Sequence, residues 1–291
     1  MKQKALLMAV ITTLLWSGSY ILNKFAFQDG VGPLTLSGLR YLLAGLFLFC
    51  LDGRKKQTQA QRKPPLGMIV LLGVLGYAVA QGLQYVGQTT LTPTQSSLFL
   101  SVGNTLLVIV IDRVWLRENQ TKGDFIKFLF LAAGITMYYY PWGGTAFSVA
   151  GMIFMLLSSV GYAVHMTLIR RMRMTSQYST GTLVARPMLA GSALLLIAGL
   201  ATEGMPTFTP GLVLILGYLS LVSGALAFYL WTWSQKELTA FESSSINNLM
   251  LIEIALMDFI VFHRTFSVIQ LIAVTVVFGS IVSIQRKKAS V

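Results

Sequence analysis

The sequence predicts an all-α polytopic membrane protein with ten transmembrane helices in two inverted five-helix repeats. Three observations carry this prediction: the composition, the number of apolar stretches and an internal repeat. Of 291 residues, 55% are hydrophobic and 11% are charged, and the mean hydropathy is +0.69. A soluble domain has about 25% charged residues, so this chain is expected in a lipid bilayer.

Ten apolar stretches approach the roughly 20 residues that an α-helix needs to cross a bilayer. The first begins a few residues after Met1 and has no cleavage site of small residues, so it is predicted to be a structural helix and not a removable signal. Short, turn-like connections join the stretches and leave no room for a soluble domain. The ten stretches lie near 4–25, 33–51, 66–87, 95–116, 123–141, 147–169, 179–201, 210–233, 241–262 and 266–284.

The two halves of the chain resemble each other with an offset of 146 residues. Arg40 in the second stretch returns as Arg186 in the seventh, and Trp16 in the first corresponds to Tyr162 in the sixth. Both arginines are followed five residues later by glycine. A duplicated unit of this length corresponds to five of the ten stretches.

With an offset one residue larger than that of the arginines, the sequence Thr-Pro-Thr-Gln-Ser-Ser at 92–97 returns as Thr-Ala-Phe-Glu-Ser-Ser at 239–244. A unit with an odd number of crossings enters the bilayer the second time upside down. The predicted units are therefore residues 1–143 and, inverted, residues 144–291. Inverted repeats of this kind enclose a site near the bilayer midplane and are typical of alternating-access transporters.

The net charge of +12 raises the question of a nucleic-acid partner, and the positions of the basic residues argue against one. They cluster at the amino terminus, in alternate loops such as 54–63 and 170–173, and at 286–288 near the carboxyl terminus. This is the positive-inside pattern, which places both termini in the cytoplasm. We therefore expect a multi-pass protein of the cell (inner) membrane that binds no nucleic acid.

The residues that enzymes and metal sites need are sparse. Cys50 is the only cysteine, which excludes a disulfide within the chain and a thiolate metal site, and the two histidines lie far apart. No phosphate-binding G-x-x-x-x-G-K-[ST] motif occurs, so ATP hydrolysis by this chain is excluded. An intramembrane enzyme would need clustered acids, a histidine set or an activated nucleophile. No enzymatic activity and no cofactor or metal are expected.

Polar and aromatic side chains at helical spacing mark the faces that are shielded from lipid. Such stripes occur on the first, third, fourth, sixth, eighth and ninth helices, whereas the fifth and tenth carry few polar residues. Any single stripe is equally well explained by hydrogen bonds between helices, but stripes on six helices favour a hydrated cavity. The candidate substrate-binding residues are Trp16, Tyr20, Asn23, Tyr77, Gln81, Gln84, Ser97, Ser101, Asn104, Tyr162, His165, Tyr229, Asn248 and Glu253.

Four ionisable residues within the helices have competing interpretations. An ionised Glu253 near the bilayer centre costs roughly 2.5–3.5 kcal/mol, so it is expected to bind a coupling proton, a substrate ammonium group or an embedded arginine. Arg40 and Arg186 could grip a substrate carboxylate, although the sequence favours a structural, snorkelling role. His165 is either a titrating group or a hydrogen-bonding spacer.

The duplicated five-helix unit, the aromatic pair Trp16 and Tyr162, the two early arginines and the triplet at 116–118 (Leu-Arg-Glu) together resemble the EamA-type transporters of the drug/metabolite transporter superfamily. The resemblance implies a ten-helix carrier with a central site, and many such carriers export amino acids or other small metabolites. Glu253 matches an acidic position that is frequent in the second repeat. The prolines that are usual inside the fourth and ninth helices are replaced here by Asn104-Thr105 and Leu251-Ile252.

The function expected from the sequence is that of a secondary transporter for small organic metabolites that works by alternating access. Export of aromatic or apolar amino acids is the leading substrate class, and a cationic metabolite such as a quaternary amine is the alternative. A channel is disfavoured because channels generally need rings of identical ligands, whereas Glu253 is replaced by Leu107 in the first half. The expected partners are a small-molecule substrate, the lipid bilayer and protons as a candidate coupling ion, with the chain acting as a monomer or homodimer.

Overall fold

The computed structural model describes residues 2–54, 64–91, 93–115, 122–138, 140, 148–174, 178–262 and 267–286, and all regular secondary structure within these ranges is helical. The bounds of the helices agree within a few residues with the apolar stretches predicted from the sequence. In chain order they are α1 (Lys2–Gln28), α2 (Pro33–Arg54), α3 (Leu66–Thr90), α4 (Pro93–Trp115), α5 (Lys122–Tyr138), α6 (Val149–Met174), α7 (Thr180–Thr202), α8 (Pro210–Ser234), α9a (Ala240–Asn247), α9b (Leu249–Phe262) and α10 (Val268–Arg286).

Six helices in the described part of the chain are long and apolar enough to cross a membrane, namely α1, α2, α3, α6, α7 and α8. They have 20–27 residues, and their mean hydropathies range from 1.8 to 2.1. A helix satisfies its own backbone hydrogen bonds, which lipid cannot do. The prediction of an all-helical, multi-pass membrane protein is thereby confirmed, whereas the count of ten crossings stays a prediction.

Local signals at the helix ends agree with the sequence. Pro33, Pro93 and Pro210 each begin a helix, where the missing N–H of proline costs no hydrogen bond. Gly30 and Gly204 follow the ends of α1 and α7 with φ values of 80° and 79°, a left-handed conformation that glycine adopts without strain.

Two helices depart from regular α-helical geometry in their middle. Residues Val74–Gly82 of α3 and Tyr218–Leu226 of α8 form π-helices. Such stretches are rare and frequently lie at functional sites. Both lie beside the central cavity described below, since Gln81 belongs to the first and Ser223 of the second contacts a residue of the cavity wall.

The helices pack in matching pairs. Helix α2 packs along α7, and α5 packs along α10. Helix α1 packs on α8 and α9, while α6, its counterpart in the second half, packs on α3 and α4. These contacts bring α1, α2, α3, α4, α6, α8 and α9 around one central space and leave α5 and α10 to one side.

Candidate substrate-binding cavity

The structure contains a central cavity with an empty volume of about 540 Å³, a figure that includes its opening. None of its lining residues belongs to α5 or α10. They are Trp16, Ser19, Tyr20, Arg40, Tyr41, Gln81, Gln84, Ser97, Leu100, Ser101, Asn104, Tyr162, Phe228, Asn247 and Met250.

Eight of the fourteen residues predicted to bind substrate are in this lining. They are Trp16, Tyr20, Gln81, Gln84, Ser97, Ser101, Asn104 and Tyr162. The structure places the other six elsewhere, and these are Asn23, Tyr77, His165, Tyr229, Asn248 and Glu253. The structure thus brings eight predicted residues together, and their role in binding substrate stays a prediction.

Arg40 is the charged residue of the cavity wall, and α2 places it there at only 2% exposure. Its Nη1 donates a hydrogen bond to Tyr85 Oη, and its Nη2 lies 2.7 Å from Ser223 Oγ and 3.3 Å from the Ser223 carbonyl oxygen. Its guanidinium carbon lies 4.8 Å from the ring centre of Tyr41. Among the described residues no carboxylate pairs with Arg40. The ion pair that those residues do form joins Lys2 and Glu242.

The partners of Arg40 hold it at the cavity but leave donors unused. A guanidinium has five N–H donors, and the contacts to Tyr85 and Ser223 occupy three at most. Arg40 Nε has no hydrogen-bond partner among the described residues. An unpaired buried cation is costly, and Arg40 keeps unused donors beside the cavity.

Aromatic rings form one side of the cavity. Trp16 packs against Phe228 with ring centres 5.0 Å apart and against Trp231 at 5.2 Å. Trp16 also donates a hydrogen bond from Nε1 to the Ser223 carbonyl oxygen, at 3.1 Å. Tyr41 packs edge-on against Phe228 at 5.6 Å. These rings present an apolar surface whose orientation is fixed by packing.

Amide side chains form the polar side of the cavity. Gln81 Oε1 accepts a hydrogen bond of 2.6 Å from Tyr41 Oη, and Gln84 Nε2 donates one of 3.1 Å to Tyr20 Oη. Asn104 Oδ1, from α4, has no hydrogen-bond partner in the part of the chain that the structure describes. The cavity therefore combines a cation, fixed amides and aromatic walls.

Tyr77 and His165 are buried behind the lining. Tyr77 packs against Tyr41 and Phe228, which stand between it and the cavity space. His165 Nδ1 lies 3.0 Å from the Leu72 carbonyl oxygen, and its ring centre is 5.8 Å from that of Tyr77. In this position His165 connects α6 to α3, and its role as a titrating group or a hydrogen-bonding spacer stays a prediction.

Asn23, Tyr229 and Asn248 also lie outside the lining. Asn23 Nδ2 donates a hydrogen bond of 3.0 Å to Gln88 Oε1. Tyr229 is partly buried against the main core. Asn248 is the buried residue at which α9a ends and α9b begins, between the lining residues Asn247 and Met250. Asn248 keeps right-handed helical backbone angles, φ −69° and ψ −12°, so the ninth helix has a one-residue irregularity here without proline.

Glu253 lies on α9b, about one turn past Met250, and faces α1. Its Oε1 accepts a hydrogen bond of 2.9 Å from Thr13 Oγ1, and its Oε2 accepts one of 2.7 Å from Ser17 Oγ. Its contacts are therefore with a neighbouring helix and not with the cavity. Of the three roles that the sequence left open for Glu253, pairing with an embedded arginine finds no support among the described residues.

Seven lining residues were not among the sequence predictions for the site: Ser19, Arg40, Tyr41, Leu100, Phe228, Asn247 and Met250. Leu100, Phe228 and Met250 carry no polar signal. Arg40 is an arginine inside a predicted helix, which the sequence does show. Its equivalent Arg186 has the same position in the repeat, however, and is a partly buried residue outside the lining. The sequence did not predict α2 at the cavity because the residues next to Arg40 on that helix are mostly apolar.

Parts of the sequence prediction lie outside the described residues. Among them are the triplet at 116–118, most of the basic loop at 54–63 and most of the basic cluster at 286–288.

Comparison with known families gives a match over almost the whole chain. The model of the EamA-like transporter family matches residues 3–140 and again residues 149–285. A solved structure superposes over 100% of both chains with a TM-score of 0.79 at 17% identity, which shows that the fold is shared.

Three curated relatives are informative. A transporter of S-adenosylmethionine and S-adenosylhomocysteine from Chlamydia trachomatis is 29% identical over 143 residues, which cover 48% of this chain and 42% of that protein. A transporter with the same description from Chlamydia muridarum is 30% identical over 92 residues, covering 32% of this chain and 29% of that protein. An uncharacterized transporter from Archaeoglobus fulgidus is 24% identical over 256 residues, 84% of each chain. The match thus spans less than half of the chlamydial proteins.

Proposed function

Because this chain belongs to the EamA-like transporter family, we propose that it is a secondary carrier for small organic metabolites that bear a carboxylate. Aromatic and apolar amino acids are the leading substrate class, and export across the inner membrane is the proposed direction. The observation that carries this proposal is Arg40, a cation in the cavity wall without an acidic partner among the described residues.

A carboxylate bound at Arg40 would supply the missing negative charge. Arginine binds carboxylates through charge-assisted and often bidentate hydrogen bonds. The amides of Gln81 and Gln84 would meet the polar groups of an amino acid, while Trp16 and Phe228 would cover an apolar side chain. An amino acid with an apolar or aromatic side chain would match the cation, the amides and the aromatic rings of the cavity wall.

The proposed mechanism is alternating access between two units, residues 1–143 and 144–291, the second inverted, with ten crossings in all. The family model matches each half separately, and the helices pack in matching pairs across the halves. Helices α1 and α9a begin beside each other, since Lys2 Nζ lies 2.8 Å from Glu242 Oε1. With the positive-inside pattern, this supports an arrangement in which both termini face the cytoplasm.

A second substrate class follows from the chlamydial relatives. S-adenosylmethionine and S-adenosylhomocysteine each combine an amino-acid end with an adenine ring. The same pairing of a guanidinium with aromatic walls would suit them. The third class, a quaternary amine, would gain from the aromatic faces, but it would meet the positive charge of Arg40, and Glu253 does not line the cavity.

The test is substrate counterflow in proteoliposomes that contain the purified full-length protein. Labelled phenylalanine, S-adenosylmethionine and choline are compared in the wild type, in Arg40→Lys and in the matched control Arg186→Lys. Replacing arginine by lysine keeps the charge but removes the planar fork. Hydrogen bonds to charged groups are worth about 1.5–3 kcal/mol, so we expect the KM for the carboxylate substrates to rise at least tenfold in Arg40→Lys alone.

Counterflow of choline without counterflow of either carboxylate substrate would overturn the proposed substrate class. An equal rise in KM in Arg186→Lys would remove the special role of Arg40. Flux that does not saturate with any of the three compounds would argue against a carrier.

A further inference from the structure

Helices α1 and α9 lie side by side and run in the same direction. Two contacts define their register: Lys2 with Glu242 at 2.8 Å and Thr13 with Glu253 at 2.9 Å, each joining residues 240 positions apart. Helix α1 has 27 residues and is long enough to cross a membrane, and Thr13 lies near its middle. Glu253 is therefore held beside the midpoint of a membrane-spanning helix.

The two hydroxyl partners of Glu253 each face two acceptors. Thr13 Oγ1 lies 2.9 Å from Glu253 Oε1 and 2.7 Å from the Val10 carbonyl oxygen. Ser17 Oγ lies 2.7 Å from Glu253 Oε2 and 2.9 Å from the Thr13 carbonyl oxygen. A hydroxyl has a single hydrogen, so neither can donate to both acceptors at once.

This arrangement satisfies the carboxyl group in either protonation state. When Glu253 is ionised, both hydroxyls donate to its oxygens. When Glu253 binds a proton, its new O–H donates to one hydroxyl, Thr13 Oγ1 or Ser17 Oγ, and that hydroxyl turns its own hydrogen to the helix carbonyl beside it. Only hydrogens rotate between the two states, while the heavy atoms keep their places.

No charged group of the described residues neutralises Glu253. The helices packed on α9b are chiefly α1 and α4. From α1, Thr13 and Ser17 face the carboxyl group, and both are neutral. The described side chains of α4, which span positions 93–111, include no ionisable group. Asp258, further along α9b, is not among the described side chains.

The equivalent place in the other half contains no such cluster. With the offset of 146 residues, Glu253 corresponds to Leu107, Thr13 to Ser159 and Ser17 to Ala163. Ala163 is buried and packs against Leu107. Ser159 bonds to the Met155 carbonyl oxygen of its own helix. The equivalent contact thus forms without a carboxylate, and packing alone does not require one at Glu253.

We propose that Glu253, with Thr13 and Ser17, is a reversible proton-binding site that couples a proton gradient to transport. A proton from water adds to Glu253 Oε1 or Oε2 and later leaves to water on the other side, so that the net charge of the cluster changes from −1 to 0 and back. The coupling part of this inference rests on the proposed carrier function. The proton-binding part does not.

A sodium ion is the competing ligand for a carboxylate with two hydroxyls. The oxygens of Glu253 lie at hydrogen-bond distance from those of Thr13 and Ser17, 2.9 and 2.7 Å. A proton needs only these direct contacts, and the salt comparison below separates it from sodium.

Proton binding is tested directly by infrared difference spectroscopy of the purified full-length protein between acid and alkaline pH. A protonated carboxylic acid has a C=O stretching band that a carboxylate lacks. Every acidic residue of the chain contributes to this band. We expect one component of it to be present in the wild type and in the matched control Glu237→Gln, whose carboxylate lies in the turn after α8, and to be lost in Glu253→Gln. Ser17→Ala should keep the band and shift its frequency, because one hydrogen bond to the carboxyl group is removed.

A difference spectrum that Glu253→Gln leaves unchanged would overturn the proposal. So would a thermal stabilisation by sodium chloride over choline chloride, at constant pH, that Glu253→Gln abolishes, since that result identifies a sodium site. Both measurements need no substrate, so they separate this inference from the proposed function.

Coupling is tested in the proteoliposomes described above. In Glu253→Gln we expect counterflow of substrate to persist and uptake driven by a pH gradient to fall to the level of empty vesicles. Gradient-driven uptake that survives in Glu253→Gln, with the wild type active, would refute the coupling role.

Discussion

Ser158 and Thr12 make equivalent contacts from opposite halves of the chain. Ser158 Oγ donates a hydrogen bond of 2.5 Å to the Ala80 carbonyl oxygen, and Thr12 Oγ1 lies 3.4 Å from the Ala227 carbonyl oxygen. The two donors are 146 residues apart and the two acceptors 147, which are the offsets of the internal repeat. The first helix of each half is thus bonded to the third helix of the other.

The Ser158 contact is expected to contribute modestly to stability. Hydrogen bonds between transmembrane helices are worth about 0.6 kcal/mol on average. Ser158→Ala should therefore lower the Tm of the purified protein by about 1–2 °C. Thr12→Val should have a smaller effect, because Thr12 also bonds within its own helix to the Met8 carbonyl oxygen. A larger loss in Thr12→Val would contradict this ranking.

The positions of the helices could be predicted from the sequence because lipid leaves the chain few choices. An apolar run of about 20 residues must satisfy its own backbone, and a helix does so locally. Polar stripes likewise predicted eight of the residues around the cavity. Those predictions needed only helical periodicity, which acts within one segment.

The remaining features of the site depend on contacts between segments. Arg40 and Arg186 occupy equivalent positions, yet only Arg40 lines the cavity, where Tyr85 and Ser223 hold it. Tyr77 shares a helix face with Gln81 but is covered by rings from two other helices. Periodicity within one helix contains no information about which neighbours will cover a side chain.

Gly191 lies at a close crossing of α7 and α3. A Cβ there would collide with the Gly73 carbonyl oxygen and would lie 2.6 Å from Tyr77 Cβ. These are backbone and Cβ atoms that cannot move alone, so Gly191→Ala must push two helices apart. Overpacking of this kind costs about 1–3 kcal/mol, and we expect a fall in Tm of about 2–10 °C in a thermal denaturation of the purified protein.

The matched control for this prediction is Gly217→Ala in α8. A Cβ at Gly217 meets no atom within 4 Å, and alanine favours a helix over glycine. Its Tm should equal or exceed that of the wild type. Equal losses in the two variants would show that the crossing at Gly191 is not the cause.

Glu203, just after the end of α7, caps the N-terminus of α2. Its Oε1 accepts a hydrogen bond of 3.0 Å from the Leu34 amide, and its Oε2 accepts one of 2.7 Å from the Thr35 amide. A carboxylate at a helix N-terminus satisfies free N–H groups and interacts favourably with the helix dipole. Glu203→Ala should cost about 1 kcal/mol in unfolding free energy.

Chemical denaturation of the purified protein would measure this cost, with Glu237→Ala as the control carboxylate that bonds no helix start. The difference between the two variants should shrink as salt is raised, because salt screens the dipole interaction. A cost that is independent of salt and shared by Glu237→Ala would contradict the capping role.

Tyr20 lies between two cavities. It lines the central cavity and also a smaller one of about 180 Å³, whose wall includes Lys24 and Gln88. Its hydroxyl accepts the hydrogen bond from Gln84, which fixes the ring where it lines both cavities. Tyr20→Ala should join the two spaces and open a path from the end of α1 that carries Lys24.

Cysteine labelling measures this path. In a Cys50→Ser background, a cysteine at Ser101 in the central cavity reports on reagents that are added from the proposed outer side. Tyr20→Ala should raise its labelling rate several-fold, whereas Tyr20→Phe keeps the ring and should stay close to the wild type. If Tyr20→Phe labels as fast as Tyr20→Ala, the hydrogen bond to Gln84 and not the bulk of the ring closes the passage. If neither variant changes the rate, Tyr20 does not separate the two cavities in the membrane.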